Sequence, residues 1–375
     1  MQPEFAPSDL AAAPDTGRDH HEQRTTPPDT GQNHHAQLAV GTAPLLTLGQ
    51  VAATADAIEA CQRPDGLILW FDGGHADPWN HVEAAMALAA AGRHRAAEAA
   101  YHWLAANQHA AGSWHNYYTA SAIKDAKVDT NCCAYVATGI WHHWLATADR
   151  GFAESMWPTV ARALDFVVSL RTASGHIPWA VHVDGTPWPY ALLTGSSSIV
   201  HSLRCGLALA ALMGQERPEW ARTLARTEHQ VRHQPDGFEP KDRWAMDWYY
   251  PVLCGALDGA QARSHLAAGA PKFLLGNYGV RCVADQSWVT AAETCECALA
   301  YLRTGDAAAA RRLIEATSAM RNADGSYYTG WVVPKARTFP DAECTSYTAA
   351  AVLLATDALD RRTPAAGALI TAPRY

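Results

Sequence analysis

The 375-residue chain contains no Asp-Asp dipeptide, and that absence argues against two chemistries together. There is no DxDD to protonate an alkene and no DDxxD to hold magnesium diphosphate. Metal-spaced cysteine pairs are also missing. Nine cysteines, an odd number scattered without a CxxC, make neither a disulfide framework nor a zinc site. Small buried residues are their expected role. Because GxGxxG, GxxxxGK[ST] and GxSxG are absent, dinucleotide, P-loop and serine-hydrolase readings have no motif to rest on. The formal charge of −8, without clustered Lys or Arg, argues against a nucleic-acid partner. No eighteen-residue apolar run and no basic-then-apolar leader occurs, so the expectation is a cytoplasmic protein that neither enters a membrane nor is exported. No cofactor and no metal are expected.

What the chain does have is a recurrent loop. Six times a short segment with glycine at its centre follows one helical stretch and precedes another, at Gly66, Gly112, Gly175, Gly237, Gly279 and Gly325. These glycines lie 46, 63, 62, 42 and 46 residues apart, which suits a helical hairpin plus a generous loop. Before the loops come alanine-rich amphipathic runs such as 93–108 and 304–320. After them come less polar runs, at 78–90, 130–146, 198–213, 248–257, 288–302 and 346–359. A helix apolar on most sides must be covered on most sides, so the second set forms an inner ring and the first an outer one. The expectation is an all-α (α/α)6 toroid of six hairpins. Strand signals are scarce, with one short stretch at 177–183 inside a loop.

One catalytic domain is expected over residues 41–363, with a disordered tail at 1–40 and a short C-terminal tail at 364–375. The N-terminal tail is rich in Pro, Asp, Thr and His and repeats Pro14–His21 as Pro28–His35. Its two His-His pairs fit a duplicated low-complexity tail better than a metal site.

In such a toroid the loops feeding the inner helices gather at one end. Nine of the fourteen tryptophans fall in or beside them: Trp70, Trp79, Trp114, Trp179, Trp188, Trp244, Trp248, Trp288 and Trp331. A tryptophan-lined cup with carboxylates suits a carbohydrate or an isoprenoid. The densest stretch runs from Trp70 through Asp72, His75, Asp77, Pro78, Trp79, Asn80 and His81 to Glu83. Asp77 followed by proline reads equally as a helix N-cap or as a catalytic acid. Glu83, Asn80 and His81 read as supports. At the fifth inner helix, Thr290 and Glu293 match a capping box, yet an apolar run starting at Trp288 places Glu293 and Glu296 inside the helix on a shared face. Asp129 and Asp247 begin other inner helices. Tyr117, Tyr118, Tyr328 and Trp179 complete the expected lining.

These residues carry a resemblance. Gly73-Gly74-x-x-Asp77-Pro78-Trp79-Asn80-His81-x-Glu83-Ala84-Ala85, with Val128-Asp129-Thr130-Asn131 and Ala292-Glu293, resembles the actinobacterial methylmannose polysaccharide hydrolases, often labelled prenyltransferase-like for their toroid. The similarity spans roughly 42–360. It implies an endo-acting α-1,4-mannosidase whose acidic pair falls on Asp77 and Glu293, with Glu296 as the fallback, acting on an oligo- or polysaccharide. The two carboxylates would sit on next-but-one inner helices, with room for a sugar and a water, which favours inversion. A homodimer is compatible with the sequence. The alternatives are a terpenoid cyclase or prenyltransferase, disfavoured by the missing Asp pairs, and a lyase or epimerase, for which the loops offer only Arg63, Arg243, Arg281 and Arg337. A non-catalytic glycan-binding protein would need the tryptophans alone.

Overall fold

The structure is a computed structural model that describes residues 43–375 apart from Ala336 and Arg374. The expected tail at 1–40, with its duplicated histidine segment, lies outside the described residues. In chain order the helices are α1 (Leu48–Glu59), α2 (Pro78–Ala90), α3 (His94–Asn107), α4 (Thr130–Ala134), α5 (Val136–Thr147), α6 (Arg150–Ser169), α7 (Leu193–Leu212), α8 (Pro218–His233), α9 (Ala245–Leu253), α10 (Gly259–Phe273), α11 (Ala291–Arg303), α12 (Ala307–Ala316) and α13 (Ser346–Asp360). Helices α4 and α5 join at Tyr135, whose backbone is itself helical, so they make one inner helix.

The ring closes. Going round, α2 packs on α5, α5 on α7, α7 on α9, α9 on α11, α11 on α13, and α13 back on α2. Outside them stand α1, α3, α6, α8, α10 and α12, each against its inner partner. The chain is an (α/α)6 toroid. The inner helices are covered nearly all round, as the even spread of apolar residues demands; in α2 every residue from Pro78 to Ala89 is buried. Several helix starts follow from local sequence. Thr47 and Gln50 form a capping box on α1, Asp77 and Asp129 accept from backbone N–H groups of α2 and α4, and Pro218 opens α8.

Several boundaries differ from expectation: the run read as 198–213 is the helix Leu193–Leu212, and two others change more in kind. The run read as a helix from Trp288 begins as strand, because Trp288, Val289 and Thr290 favour extended backbone and pair with Val332, Trp331 and Gly330. The run read as 248–257 is the helix Ala245–Leu253, starting a turn earlier and ending before Gly255, whose φ of +71° leaves the helical region.

Most of the recurrent loops share one hydrogen-bonded turn. Gly66 N donates to Arg63 O at 2.9 Å, Gly112 N to His109 O at 2.8 Å, Gly175 N to Thr172 O at 2.9 Å and Gly325 N to Asn322 O at 3.1 Å. The glycines also fasten the outer ring. At Gly66, φ is +99° and a Cβ would lie 2.2 Å from the carbonyl oxygen of Ala99 on α3. At Gly325, φ is +95° and a Cβ would meet the backbone of Ala53 on α1 at 2.4 Å, so the last loop locks onto the first helix.

Past each turn the loops are zipped together by short antiparallel strands. β1 (His75–Ala76), β2 (Tyr117–Thr119) and β3 (Ile123–Asp125) form one sheet, β4 (Val128–Asp129) and β5 (Ala180–Val181) a second, and β6 (Trp288–Thr290), β7 (Gly330–Val332) and β8 (Arg337–Thr338) a third. The stretch anticipated at 177–183 contributes β5. At the other end of the barrel, the segment expected as a tail after residue 363 packs inward. Ala365 and Ala368 are buried and Leu369 lines a cavity inside the ring, because this end needs an apolar plug.

Gly66→Ala therefore must move α3 as well as strain its own backbone, whereas Gly73, with φ of +71° and nothing within 4 Å of a built Cβ, meets only the strain. In thermal unfolding, Gly66→Ala is expected to lose about 3 kcal/mol or more and Gly73→Ala about 1 kcal/mol. Equal losses would contradict the fastening role.

Candidate active site

The acidic residues of the inner helices fall in two tiers. At the mouth, Asp77 is the N-cap of α2 and 1% exposed. Its Oδ1 accepts from the backbone N–H of Asn80 at 3.0 Å. Its Oδ2 accepts from Trp70 Nε1 at 2.7 Å and from Asn80 Nδ2 at 2.9 Å. Burial pushes the carboxyl up to about 6, against the pull of these donors toward the ionised form. The cap and the chemistry are compatible: one group terminates the helix and holds a proton near neutral pH.

Around Asp77 stands an aromatic wall. The Trp70 ring lies 4.3 Å from His75 and 4.9 Å from Tyr347, and Tyr117 is 4.9 Å from His75. Burial, then the Lys124 ammonium, lowers His75 to about 4, so it is neutral. Asp72 is exposed at the loop tip. Trp79 is buried in the barrel wall, stacked on Tyr135 at 4.3 Å and 10°. Asp129 repeats the Asp77 arrangement at α4, accepting from the N–H groups of Asn131 and Cys132 and, at 2.6 Å, from Trp179 Nε1. Asp247, in the first turn of α9, accepts from both the hydroxyl and the N–H of Thr194, and burial raises its pKa. Trp331, half-buried on β7, has an indole N–H with no acceptor.

Five expected lining residues are turned to structural work. His81 Nδ1 accepts from Ile68 N at 3.0 Å and its Nε2–H donates to Ala100 O at 2.9 Å, bracing the first loop against α3. Trp114 is 1% exposed and donates to Leu104 O at 2.9 Å. Tyr118 is buried, its hydroxyl accepting from His115 N, while its neighbour Tyr117 faces the Trp70 cluster as strand alternation requires. Trp248 stacks on Phe273 of the outer helix at 5.4 Å and donates to His265 O. Trp288 packs with Cys282 and Val283 beneath the third sheet and donates to Phe339 O at 3.0 Å. Tyr328 lines a separate cavity of about 380 Å³, with Cys61 and Ala57 of α1 and Cys344.

Glu293 sits in the first turn of α11, not deep within the helix. The capping box does not form: Thr290 is the N-cap residue but makes no side-chain cap bond, and its hydroxyl is buried without a partner. The cap reading of Glu293 thus fails on geometry. Glu293 is half-buried, receives a hydrogen bond from the Cys282 thiol, and adds its charge to the fields of Tyr249, Tyr347 and Glu296. Tyr347 belongs to α13, the helix between α2 and α11, and touches Trp70 on one side while sensing Glu293 on the other. It is the link between the two candidate carboxylates.

Below lies the second tier. Glu296, one turn on from Glu293, accepts from the hydroxyls of Tyr249 and, at 2.6 Å, Tyr250. Glu83 accepts from Tyr135 Oη at 3.1 Å. Burial raises both, Glu296 to about 7, and the charge of Glu296 pushes Glu83 further up. They share a cavity with room for about 20 Å³ of water, closed by Leu253, Leu299 and Leu369. That space accommodates a water but not a sugar ring. The tyrosines of this tier, and Tyr347, were not singled out as site residues in the sequence; the Tyr249-Tyr250 pair beside Asp247 was the signal that could have found them.

No family model matches the chain. It is 47% identical, over 87% of its length and 90% of the relative's, to an MMP endo-(1,4)-3-O-methyl-alpha-D-mannosidase of Mycolicibacterium hassiacum. Among solved structures, it resembles one described as a wild-type glycosidase (TM-score 0.66, 15% identity, 84% of this chain and 97% of the other). It also resembles a GH63 mannosylglycerate hydrolase from Thermus thermophilus in complex with glucose (0.60, 13%, 82% and 99%) and a D-mannose isomerase (0.62, 12%, 82% and 96%). At these identities the structural likenesses establish the toroid alone. Toroid, mouth carboxylates and the closely similar mannosidase together define a glycoside hydrolase. The chain belongs to the methylmannose polysaccharide hydrolase family.

The raised carboxyls set the sign of a pH effect on stability. A native pKa above the unfolded value means stability is fully present below about pH 4 and is lost as pH rises through about 6 for Asp77 and about 7 for Glu296. The melting temperature is therefore expected to fall by several degrees between pH 5 and pH 8, and Glu296→Gln to flatten that fall. A melting temperature rising over this interval would contradict the assignment.

Proposed function

We propose that the protein cleaves internal α-1,4 linkages of 3-O-methylmannose polysaccharide with inversion, Asp77 serving as general acid and Glu293 as general base. The observation that carries this is the contrast at the barrel mouth: a buried carboxyl that burial raises to about 6, and a second carboxyl in the cup that no helix cap requires. The substrate class rests on the mannosidase to which the chain is 47% identical.

In the reaction, Asp77 gives its proton to the glycosidic oxygen as the C1–O bond breaks. Glu293 takes a proton from a water that attacks C1 from the opposite face. The charge left on Asp77 falls on a carboxylate already facing three N–H donors, from Trp70 and from the backbone and side chain of Asn80. Next-but-one inner helices, with axes ~8–10 Å between neighbours, leave the width that an intervening water needs. Tyr117, Tyr347 and Trp70 offer rings to the sugar faces, and an O-methyl group suits such walls better than a hydroxyl. Glu296 is a poorer base, since both its oxygens are held by tyrosines beside a cavity too small for substrate. The protein acts within a polysaccharide-cleaving family, and no helix among the described residues is long and apolar enough to cross a membrane.

Asp77→Asn keeps a cap acceptor but cannot deliver a proton, and is expected to lower kcat on methylated α-1,4-mannan oligomers by ~10² to 10⁴ with little loss of stability. Glu293→Gln should do the same. Reducing-end release and a melting curve for each variant separate the outcomes. Near wild-type turnover in Asp77→Asn leaves that residue a cap alone, and an active Glu293→Gln beside an inactive Glu296→Gln moves the base down one turn.

A further inference from the structure

An arm of the mouth is built from more aromatic surface than the barrel needs. From β5 the chain runs out, turns at Asp184 and Gly185, and returns as a hairpin. Trp188 N donates to Ala180 O at 2.8 Å, His182 N to Thr186 O at 2.9 Å and Trp179 N to Tyr190 O at 2.9 Å. Gly185 takes φ of +86°, and Asp184 Oδ1 accepts from Thr186 N, which fixes the turn. Through β4 the arm is paired to Val128 and Asp129, so its base is the start of α4, on the inner helix beside α2.

Four rings are gathered on this arm. Trp179 and Tyr190 are parallel with centroids 5.9 Å apart, Trp188 meets Trp179 edge-on at 4.8 Å, and His182 lies flat on Trp188 at 4.8 Å and 14°. Two ammonium groups attend them, Lys127 at 4.5 Å from the Trp179 ring and Lys241 at 5.9 Å from that of Tyr190. The tip is open: Val183 is 78% exposed, Pro187 and Pro189 are exposed beside it, and the Asp184 carboxylate is exposed on the turn between them. The indole N–H of Trp188 is buried within the arm and has no acceptor there.

We propose that this arm is a distal glycan subsite that binds an O-methylated hexose ring away from the cleavage point. It rests on the methylmannan reading above and extends it to where methylation is read. The C–H face of a hexose stacks on an indole. Its methoxy group adds apolar surface, which Val183, Pro187 and Pro189 can cover. Its ether oxygen accepts hydrogen bonds and donates none, and the donors beside the rings are the Lys127 and Lys241 ammonium groups, each also paired with a carboxylate, Asp125 or Glu239. A bare mannose ring would use the stacking and gain little from the tip. Attachment at the start of α4, one inner helix on from Asp77, places the arm where a chain lying across the mouth continues past the scissile bond.

Steady-state hydrolysis of α-1,4-mannan oligomers of graded length, methylated and unmethylated, tests this with two variants. Trp188→Ala is expected to raise KM about tenfold on long methylated oligomers, with kcat within about twofold of wild type and shorter oligomers affected less. Val183→Asp, at an exposed tip where it cannot disturb packing, is expected to reduce the preference for methylated over unmethylated chains severalfold. If Trp188→Ala fails to fold, Val183→Asp decides alone. Wild-type cleavage with KM unaltered in folded variants at every length overturns the subsite and leaves the hydrolase standing. Failure of the wild type to cleave any methylated oligomer overturns the hydrolase reading and the subsite with it.

Discussion

An acidic side chain on the inner wall of a helical barrel must be neutralised, hydrogen-bonded or placed at the water's edge, because an unpaired buried carboxylate costs several kcal/mol or more. The arrangement of this molecule follows from how four such groups meet that demand. Asp77 spends its lone pairs on a helix terminus and an indole, and remains protonatable near neutral pH. Glu83 and Glu296 lie deeper, under tyrosine hydroxyls, and hold protons at higher pH. Glu293 stays at the cup, half-exposed. The four carboxyls thus differ by depth and by partners rather than by residue type.

The toroid makes that grading available. Parallel inner helices present their N-termini together, and loops zipped by two- and three-residue strands set tryptophans over them. The same motif, a loop indole donating to an N-cap aspartate, appears at Trp70–Asp77 and at Trp179–Asp129. One instance faces the tyrosine and histidine wall of the cup; the other anchors the projecting arm. The D-mannose isomerase among the structural likenesses shows the toroid serving another reaction, so the fold alone does not decide the chemistry.

Much of this was legible in the residues. Six glycine turns marked the six hairpins; at Gly66, Gly112, Gly175 and Gly325 a left-handed backbone lets the loop lie close against an outer helix, and a strong local signal results. Asp77-Pro78 marked a helix start to the residue. Trp114 and Trp248 misled because an indole near a loop can point to either side of it, and only tertiary contacts with Leu104 and Phe273 decide which. Glu293 looked like half of a capping box; the extended pairing of Trp288–Thr290 with β7 instead leaves the Thr290 side chain without a cap bond. The tyrosine layer around Glu83 and Glu296 was hidden for another reason: its members come from the α4–α5 junction and from α9, far in sequence from the glutamates they serve.

The central claim is that Asp77 and Glu293 act across the cup on opposite faces of one sugar, with a water between. The anomer first released from a methylated α-1,4-mannan oligomer tests it most directly, followed by proton NMR before mutarotation. Inversion at an α linkage gives the β anomer, which is expected first. An α anomer formed first would mean net retention and a different division of labour between the carboxyls.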